Sequence, residues 1–473
     1  MPARQATSAT LAQHFATVVA ATDAAGLPEA ARAAVRTFTL DTIGVGIAGC
    51  RSPYAAGVAR AASGWGSGND AHVLATGQPL PSPAAAMVNA FQAHALEFDC
   101  VHEAAVLHPF TVVIPTLLAE AERLASIGRA PLDGATFMAA ATAGVEMAAS
   151  LGAAALSQIR FFRPATCGLF GATAALARAR GLDASQTAHA FGYALAFASG
   201  TMQAHVEGTP ALAASVGAAA RSAFTAVDLV QAGLPGPMGS LDGPFGYLTL
   251  FEQAVDIERI AERFGQQWRV CEVAHKPFPT GRAAHGGIDM IQQLRAGGLT
   301  ADQLDRLVIE APPLIHHLVG RPILPPPLEV NYARLCLPYV GAVALLTGGV
   351  RLTDFEPERL NDPAVHAVAA RIQVVVNPAI LDQAAFVPQR ATATLQDGSE
   401  LVVAIDALLG APARPLSRAA HLGKFRACAG FGWAQLPPDR VEQLAAGLIV
   451  ACDRLETLPD TSILARLAAG MEA

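Results

Sequence analysis

A chain of 473 residues is long enough for two domains and a large buried core, and 52% hydrophobic with only 15% charged residues describes a tightly packed body. A net charge of −7, with no basic run and no aromatic-interleaved basic stretch, argues against a nucleic-acid partner. No apolar run of about 18 residues is free of charge, which argues against a membrane span, and seven scattered cysteines, never spaced CxxC, behind a polar start fit a reducing cytoplasm.

Residues 8 to 50 predict two helices, one over Leu11 to Ala24 and a second from Ala30. The segment TFTLDTIGVGIAG (37–49) is apolar on nearly every side except at Asp41 and reads as a central helix. Asp41 either caps and pairs inside the bundle or serves a site. Loops at 63–69 and 77–83 lead into a helix over Ala84 to Leu96 and then into NAFQAHALEFDCVHEAAVLHP (89–109). This stretch gathers His94, Glu97, Asp99, His102, Glu103 and His108 in a chain otherwise poor in charge. His94 and Glu97, three apart, share a helix face. Phe98 to His108 reads as a loop. His108-Pro109 opens the apolar run FTVVIPTLLAEAERLA, so the imidazole sits at a helix start, where the macrodipole disfavours imidazolium and keeps a neutral base. Singly, each of these residues is as readily a cap or a satisfied core group; together they point to acid–base chemistry. A metal is the other reading, but His102-Glu103 followed by His108 is not the HExxH spacing, and no metal is assigned.

The run 133–158, carrying Glu146 inside it, predicts a buried helix. Arg160 and Arg163 then flank two phenylalanines ahead of a helix over Ala165 to Ala179. Arg163 with that helix N-terminus offers a carboxylate pocket, or is ordinary capping beside a surface arginine. Helices over Ser185 to Ala198 and Ala211 to Gln231 bracket a polar loop, 199–208, with a second pair, His205 and Glu207. Residues 233–247 read as ordered coil at an edge or interface.

Beyond about residue 270 the pattern changes to period-two apolar runs, RLVIEAP, IQVVVNP and ATATLQDGSELVVAID, the last a hairpin turning at Asp397-Gly398. Helices are expected at Gly281 to Arg295 and Arg334 to Leu346. The reading is a mainly α protein: a large all-helical domain from residues 1–272 and 410–473, with an inserted α+β lid domain at 273–409. The lid opens with HKPFPTGRAAHGGID (275–289), which places Lys276 in a stiff, proline-framed segment and Arg282 and His285 at the start of the next helix. Cations at a domain edge facing an acid and histidine cluster describe a cleft that closes on a carboxylate.

Four segments, DTIGVGIAG (41–49), NAFQAHALEFDCVHEAAVLHP (89–109), RPATCGLFGA (163–172) with GLDASQTAHAFG, and HKPFPTGRAAHGGID (275–289), together resemble the MmgE/PrpD family of 2-methylcitrate dehydratases, cis-aconitate decarboxylases and iminodisuccinate epimerases. NYARLCLPYVGAVALLTGGV (331–350) is similar to the family's second lid segment. The resemblance implies a helical domain with an α+β lid, a homodimer and no organic cofactor. It places Glu97 and Asp99 on the family's acid motif, His108 on its active-site histidine, and Lys276 and His285 on its lid lysine and histidine. Cys100 stands for an Asp, and Arg163 for the histidine of many members. Leu212 and Ser215 stand where a lysine and a histidine are expected, which removes charge-assisted contacts to a tricarboxylate.

What the resemblance implies for activity is a cytoplasmic, cofactor-independent hydro-lyase acting on a small hydroxy-di- or tricarboxylic acid by proton transfer next to a carboxylate. In that scheme His108 moves the proton, assisted by His102. Lys276, Arg163, Arg282, His285 and His205 hold carboxylates. Glu97 and Asp99 orient the histidines, or one of them stays protonated and donates to the leaving hydroxyl. An epimerase or decarboxylase on a related acid, and a non-catalytic carboxylate-binding protein, are the alternatives.

Overall fold

The computed structural model describes residues 9–382 and 385–472. From residue 9 to about 270 the chain folds as Ala- and Gly-rich helices, and small side chains decide how closely they pack. The helix Glu29–Gly49 is buried at every residue from Phe38 to its end. A Cβ built at Gly49 would lie 1.9 Å from the carbonyl oxygen of Gln92, and one at Gly44 would lie 2.6 Å from the ring of Phe425. The first contact sets the height of the helix Ser82–His94 two residues before its terminal histidine; the second seats the C-terminal helix Arg418–Gly432. Because the obstacle at Gly49 is backbone, Gly49→Ala is expected to destabilise by about 3 kcal/mol, the upper range for overpacking. Urea denaturation checks this; an unchanged midpoint would contradict the packing described.

Trp433, Leu444 and Leu448 join Phe38, Phe110 and Phe137 in one core, so helices from both ends of the chain build a single body. The helix Gly134–Ala154 is long and apolar enough to cross a membrane, yet from Phe137 to its end it is buried inside this body. Its Glu146 accepts the Arg269 backbone N–H at 2.7 Å, and burial pushes its carboxyl up to about 7.

Between these helical parts the chain builds a second core, drawn from residues between Phe278 and Leu408. Its four-stranded sheet runs Ile372–Val376, Leu304–Ala311, Gln389–Leu395, Glu400–Ile405, the first pair parallel and the others antiparallel. The hairpin turns at Asp397-Gly398, where Gly398 takes φ +82° and Asp397 accepts the Ser399 N–H. Period-two alternation predicted these strands correctly because one sheet face is covered by helices such as His285–Ala296. The helix expected over Arg334 to Leu346 is instead two, Val330–Arg334 and Leu337–Thr347. Pro338 is the cause: with no N–H to bond back to Arg334 it fits only the first turn of a new helix, which starts at Leu337 after the extended Cys336. The first helix likewise stops at Ala21, with Thr22 extended, rather than at Ala24.

One short ladder ties the two parts together. Val101–His102 pairs antiparallel with Val273–Ala274, Val101 opposite Ala274. Continuing that register by two residues brings Lys276 opposite Asp99.

Candidate active site

The loop after the helix Ser82–His94 is held from two directions, by a lysine of the C-terminal helix and a lysine of the lid. Glu97 takes φ +52° and Val106 φ +51°, left-handed conformations that cost a non-glycine residue on the order of 1–3 kcal/mol and gather at functional loops. From the C-terminal helix, Lys424 donates to the Phe98 carbonyl at 2.8 Å, sits over the Phe98 ring and pairs with Asp41 at 2.8 Å. Asp41 is therefore an internal anchor. From the lid, Lys276, with no exposed surface, donates to the Glu97 carbonyl at 3.1 Å and carboxylate at 3.0 Å, and lies 3.4 Å from Asp99.

Asp99 is the hub. It accepts His94 Nδ1–H at 2.9 Å and the Thr111 hydroxyl at 2.7 Å, with His108 Nδ1 at 3.4 Å. Burial alone would push both carboxyls up. Lys276, His94 and His108 outweigh it, holding Glu97 at about 2 and Asp99 well below the usual carboxylate range. Both are ionised, so neither is the protonated donor to a leaving hydroxyl that the sequence allowed. His94 responds in the opposite sense: burial pulls its pKa down, but Asp99 and Glu97 raise it above the ordinary value. Sequence reasoning saw His94 as a neighbour of Glu97 and gave it no role; its i, i+3 spacing was the available signal.

His108 caps the helix Pro109–Ser126. Its Nδ1 lies 2.8 Å from the Cys100 carbonyl oxygen, which only accepts, so Nδ1 carries the hydrogen and the neutral ring presents its lone pair at Nε2. Burial, reinforced by Lys276 and His94, brings its pKa down to about 4. Desolvation is thus the main reason the ring is neutral, where the sequence pointed to the helix dipole.

His108 and Glu97 line a small cavity between body and lid, together with Arg163, His205 and Arg282. His205 is buried, and burial lowers its pKa to about 4. Glu207 is exposed and bonded to Gln203, so the expected His205–Glu207 pair does not form. Arg163 reaches the cavity but is forked onto Glu252, 2.9 Å on each arm, within the buried interior. The Ala165 and Thr166 N–H groups at its helix start already bond to Phe162 O, which weakens the expected anion pocket there. Arg282 also lines the cavity, with its guanidinium given to Glu103, His275 O and Leu409 O.

Three expected roles need correction. His102 does not line the cavity: its Nδ1 accepts the Ala105 N–H, and Nε2 bonds to Glu272 at 2.9 Å, because strand alternation turns it away from His108. His285 is buried between Arg282 and Thr280 O, bonded to both, and does not line the cavity. Lys276 does not line the cavity either; its charge is spent on Glu97 and Asp99, which makes it a positioning residue.

Among the described residues, two side-chain sets could hold a metal by proximity, with ligand atoms within 4.8 Å of one another: His94, Asp99 and His108, and Asp41, His275 and His421. In the first, Asp99 Oδ2, His94 Nδ1 and His108 Nδ1 are already engaged, by Thr111, Asp99 and Cys100 O, and the Lys276 ammonium on Asp99 opposes a second cation, although His94 Nε2 has no hydrogen-bond partner among the described residues. In the second, Asp41 Oδ2, His275 Nε2 and His421 Nε2 have no protein partner, but the Lys424 ammonium on Asp41 opposes a second cation.

The buried histidines make a pH prediction. Burial takes His275 to about 3, His108 and His205 to about 4, and lowers His285 and His421 as well. Unfolded, each would titrate near 6.5, so below that pH the unfolded chain binds protons that the folded chain does not. Their contribution is whole above about pH 6.5 and is lost toward pH 4 at about 1.4 kcal/mol per pH unit for each proton taken up. His94, with its raised pKa, contributes fully below about pH 6.5 and fades as pH rises through its folded value. Glu97, depressed to about 2, changes stability only below about pH 4.3. A denaturation midpoint distinctly lower at pH 5 than at pH 7 is expected; equal midpoints would contradict the neutral assignment.

Residues 13–260 match the MmgE/PrpD N-terminal domain and residues 278–445 the MmgE/PrpD C-terminal domain, the latter running into helices that pack on the helical body. Cis-aconitate decarboxylase of Homo sapiens is 27% identical over 481 residues, covering 97% of this chain and 95% of that protein. The enzyme of the same name from Mus musculus is 26% identical over 454 residues, covering 92% and 88%. That from Aspergillus terreus is 25% identical over 457 residues, covering 92% of each.

Proposed function

The chain belongs to the MmgE/PrpD family, and from that premise we propose that it is a lyase removing a carboxylate, as carbon dioxide, from a small unsaturated carboxylic acid, using no cofactor beyond its own side chains. The observation that carries this reading is the neutral His108, its Nε2 lone pair free for the cavity beside the ionised Glu97. A bound carboxylate adds a negative neighbour to a ring whose proton affinity burial has depressed, so binding itself draws a proton onto Nε2. As the C–C bond to the departing carboxylate breaks, its electron pair passes to carbon. His108 then delivers the proton that forms the new C–H bond. Carbon dioxide leaves, the imidazole returns to neutral, and one proton is consumed per turnover.

Dehydration, the leading expectation from sequence, would have to take its acid from His108 as well, since Lys276 and the histidines hold Glu97 and Asp99 below the usual carboxylate range; decarboxylation asks of the same ring only one proton delivered to carbon. The decarboxylase names of relatives that span nearly the whole chain support the same choice. The test is incubation of the metal-analysed protein with cis-aconitate and smaller unsaturated acids. Carbon dioxide released in step with product supports the reading; loss or addition of water without it would return the assignment to a hydro-lyase.

A homodimer belongs to the same proposal. Leu234, Phe245 and Leu250 stand exposed on and beside the coil anticipated as an interface. Light scattering should give twice the chain mass, and a monomer at micromolar concentration would remove this element. The seven free cysteines support the cytoplasm as the compartment.

A further inference from the structure

Among the described residues both arginines that line the cavity are already matched by a carboxylate of the protein, Arg163 by Glu252 and Arg282 by Glu103, and behind the wall Lys276 is matched by Glu97 and Asp99. Arg321 and Arg334 stand outside the lining, each over an aromatic ring, Tyr332 and Phe355, and bonded to a backbone carbonyl, of His205 and Ala95. His205 and His108 line the cavity as neutral rings, and Glu97 brings a negative charge to its wall. The remaining wall is apolar: Ile159, Phe162 and Leu212 from the body, and Leu318, Leu335 and Phe386 from the lid. Leu212, Leu335 and Glu97 also border a second, smaller cavity, so the apolar wall is a partition between two spaces.

Resting on the lyase reading above, we infer that the acid bound here carries one or two carboxylates and an apolar arm, and that a tricarboxylate is a poor substrate. One carboxylate can be served by His108, once protonated, and by the side of Arg163 not engaged by Glu252; a second can be the departing one, which lies on the apolar wall and leaves as neutral carbon dioxide. A third would be buried against leucine and phenylalanine with no partner, which is disfavoured by orders of magnitude in affinity. An alkyl arm is stabilised by the same wall.

The experiment compares unsaturated dicarboxylates bearing substituents from methyl to butyl with cis-aconitate. Carbon dioxide release gives kcat/KM, and thermal shift with the saturated, unreactive analogues gives binding. The expected result is a rise in kcat/KM of about fourfold per methylene until the wall is covered. The best alkyl acid should exceed cis-aconitate by about tenfold or more. Leu212→Lys, which sets an unpaired cation in the wall, should move the ratio toward cis-aconitate by at least about tenfold. Cis-aconitate equal to or better than the alkyl acids in both assays would overturn the inference while leaving the lyase reading intact. If no acid lost carbon dioxide the lyase reading would fall, and the thermal-shift ranking would still decide the binding inference by itself.

Discussion

His108→Asn is expected to lower turnover by about 10³-fold, within the range for loss of a general acid–base group. The change is chosen for its geometry. An asparagine amide stands where Nδ1 does and can still donate to the Cys100 carbonyl, whereas nothing replaces Nε2. The melting temperature should therefore move by no more than about 2 °C. A collapse in stability with proportionate loss of activity would mean that the ring is a structural cap and that the reacting group lies elsewhere. The pH profile gives a second readout. In the free protein the ring is neutral above about 4. If the proton arrives with the substrate, kcat/KM falls by about tenfold per pH unit above that value, while kcat stays level up to the higher pKa in the complex. A kcat/KM that is flat from pH 5 to 8 would mean instead that His108 works as a base from its neutral form.

Lys276→Met is expected to cost both fold and function, because it leaves Glu97 and Asp99 facing each other without their ammonium. Removing one partner from a buried ionic cluster costs about 3–5 kcal/mol, so a large drop in denaturation midpoint is predicted alongside loss of turnover. This differs from what the sequence implied, a lid lysine that holds a substrate carboxylate. The distinction can be read from the histidines. Lys276 lowers the proton affinity of both His94 and His108. Its removal should therefore raise both pKa values in an NMR titration of the ring protons. Unchanged values, with only the KM for substrate altered, would restore the substrate-gripping role.

These two residues also show what was legible before the structure. His108, Asp99 and Glu97 lie within a dozen residues, so their dense spacing in an apolar chain marked the site, and the Lys-Pro framing marked the segment that meets it. The helical body and lid were legible for a related reason: helical and period-two apolar patterns change over near residue 270, and each follows from which face is buried. What stayed hidden was pairing across long separations. Arg163 reads in sequence as a cation for substrate; Glu252, 89 residues later, neutralises it. Arg282 reads the same way until Glu103, 179 residues earlier, is brought against it. His102 looked equivalent to His108, but a two-residue strand fixes the side on which each lies, and only the partner strand at Val273 reveals it. A residue pattern displays charges and leaves their distant counterions unseen.

The most direct test of the central claim is proton NMR of turnover in deuterium oxide, wild type beside His108→Asn. The account predicts product carrying one deuterium at the carbon that held the lost carboxylate, or at its allylic partner, with one carbon dioxide released per deuterium incorporated and both signals lost together in the variant. Deuterium exchanged into unreacted acid with no carbon dioxide formed, or turnover undiminished in His108→Asn, would contradict it.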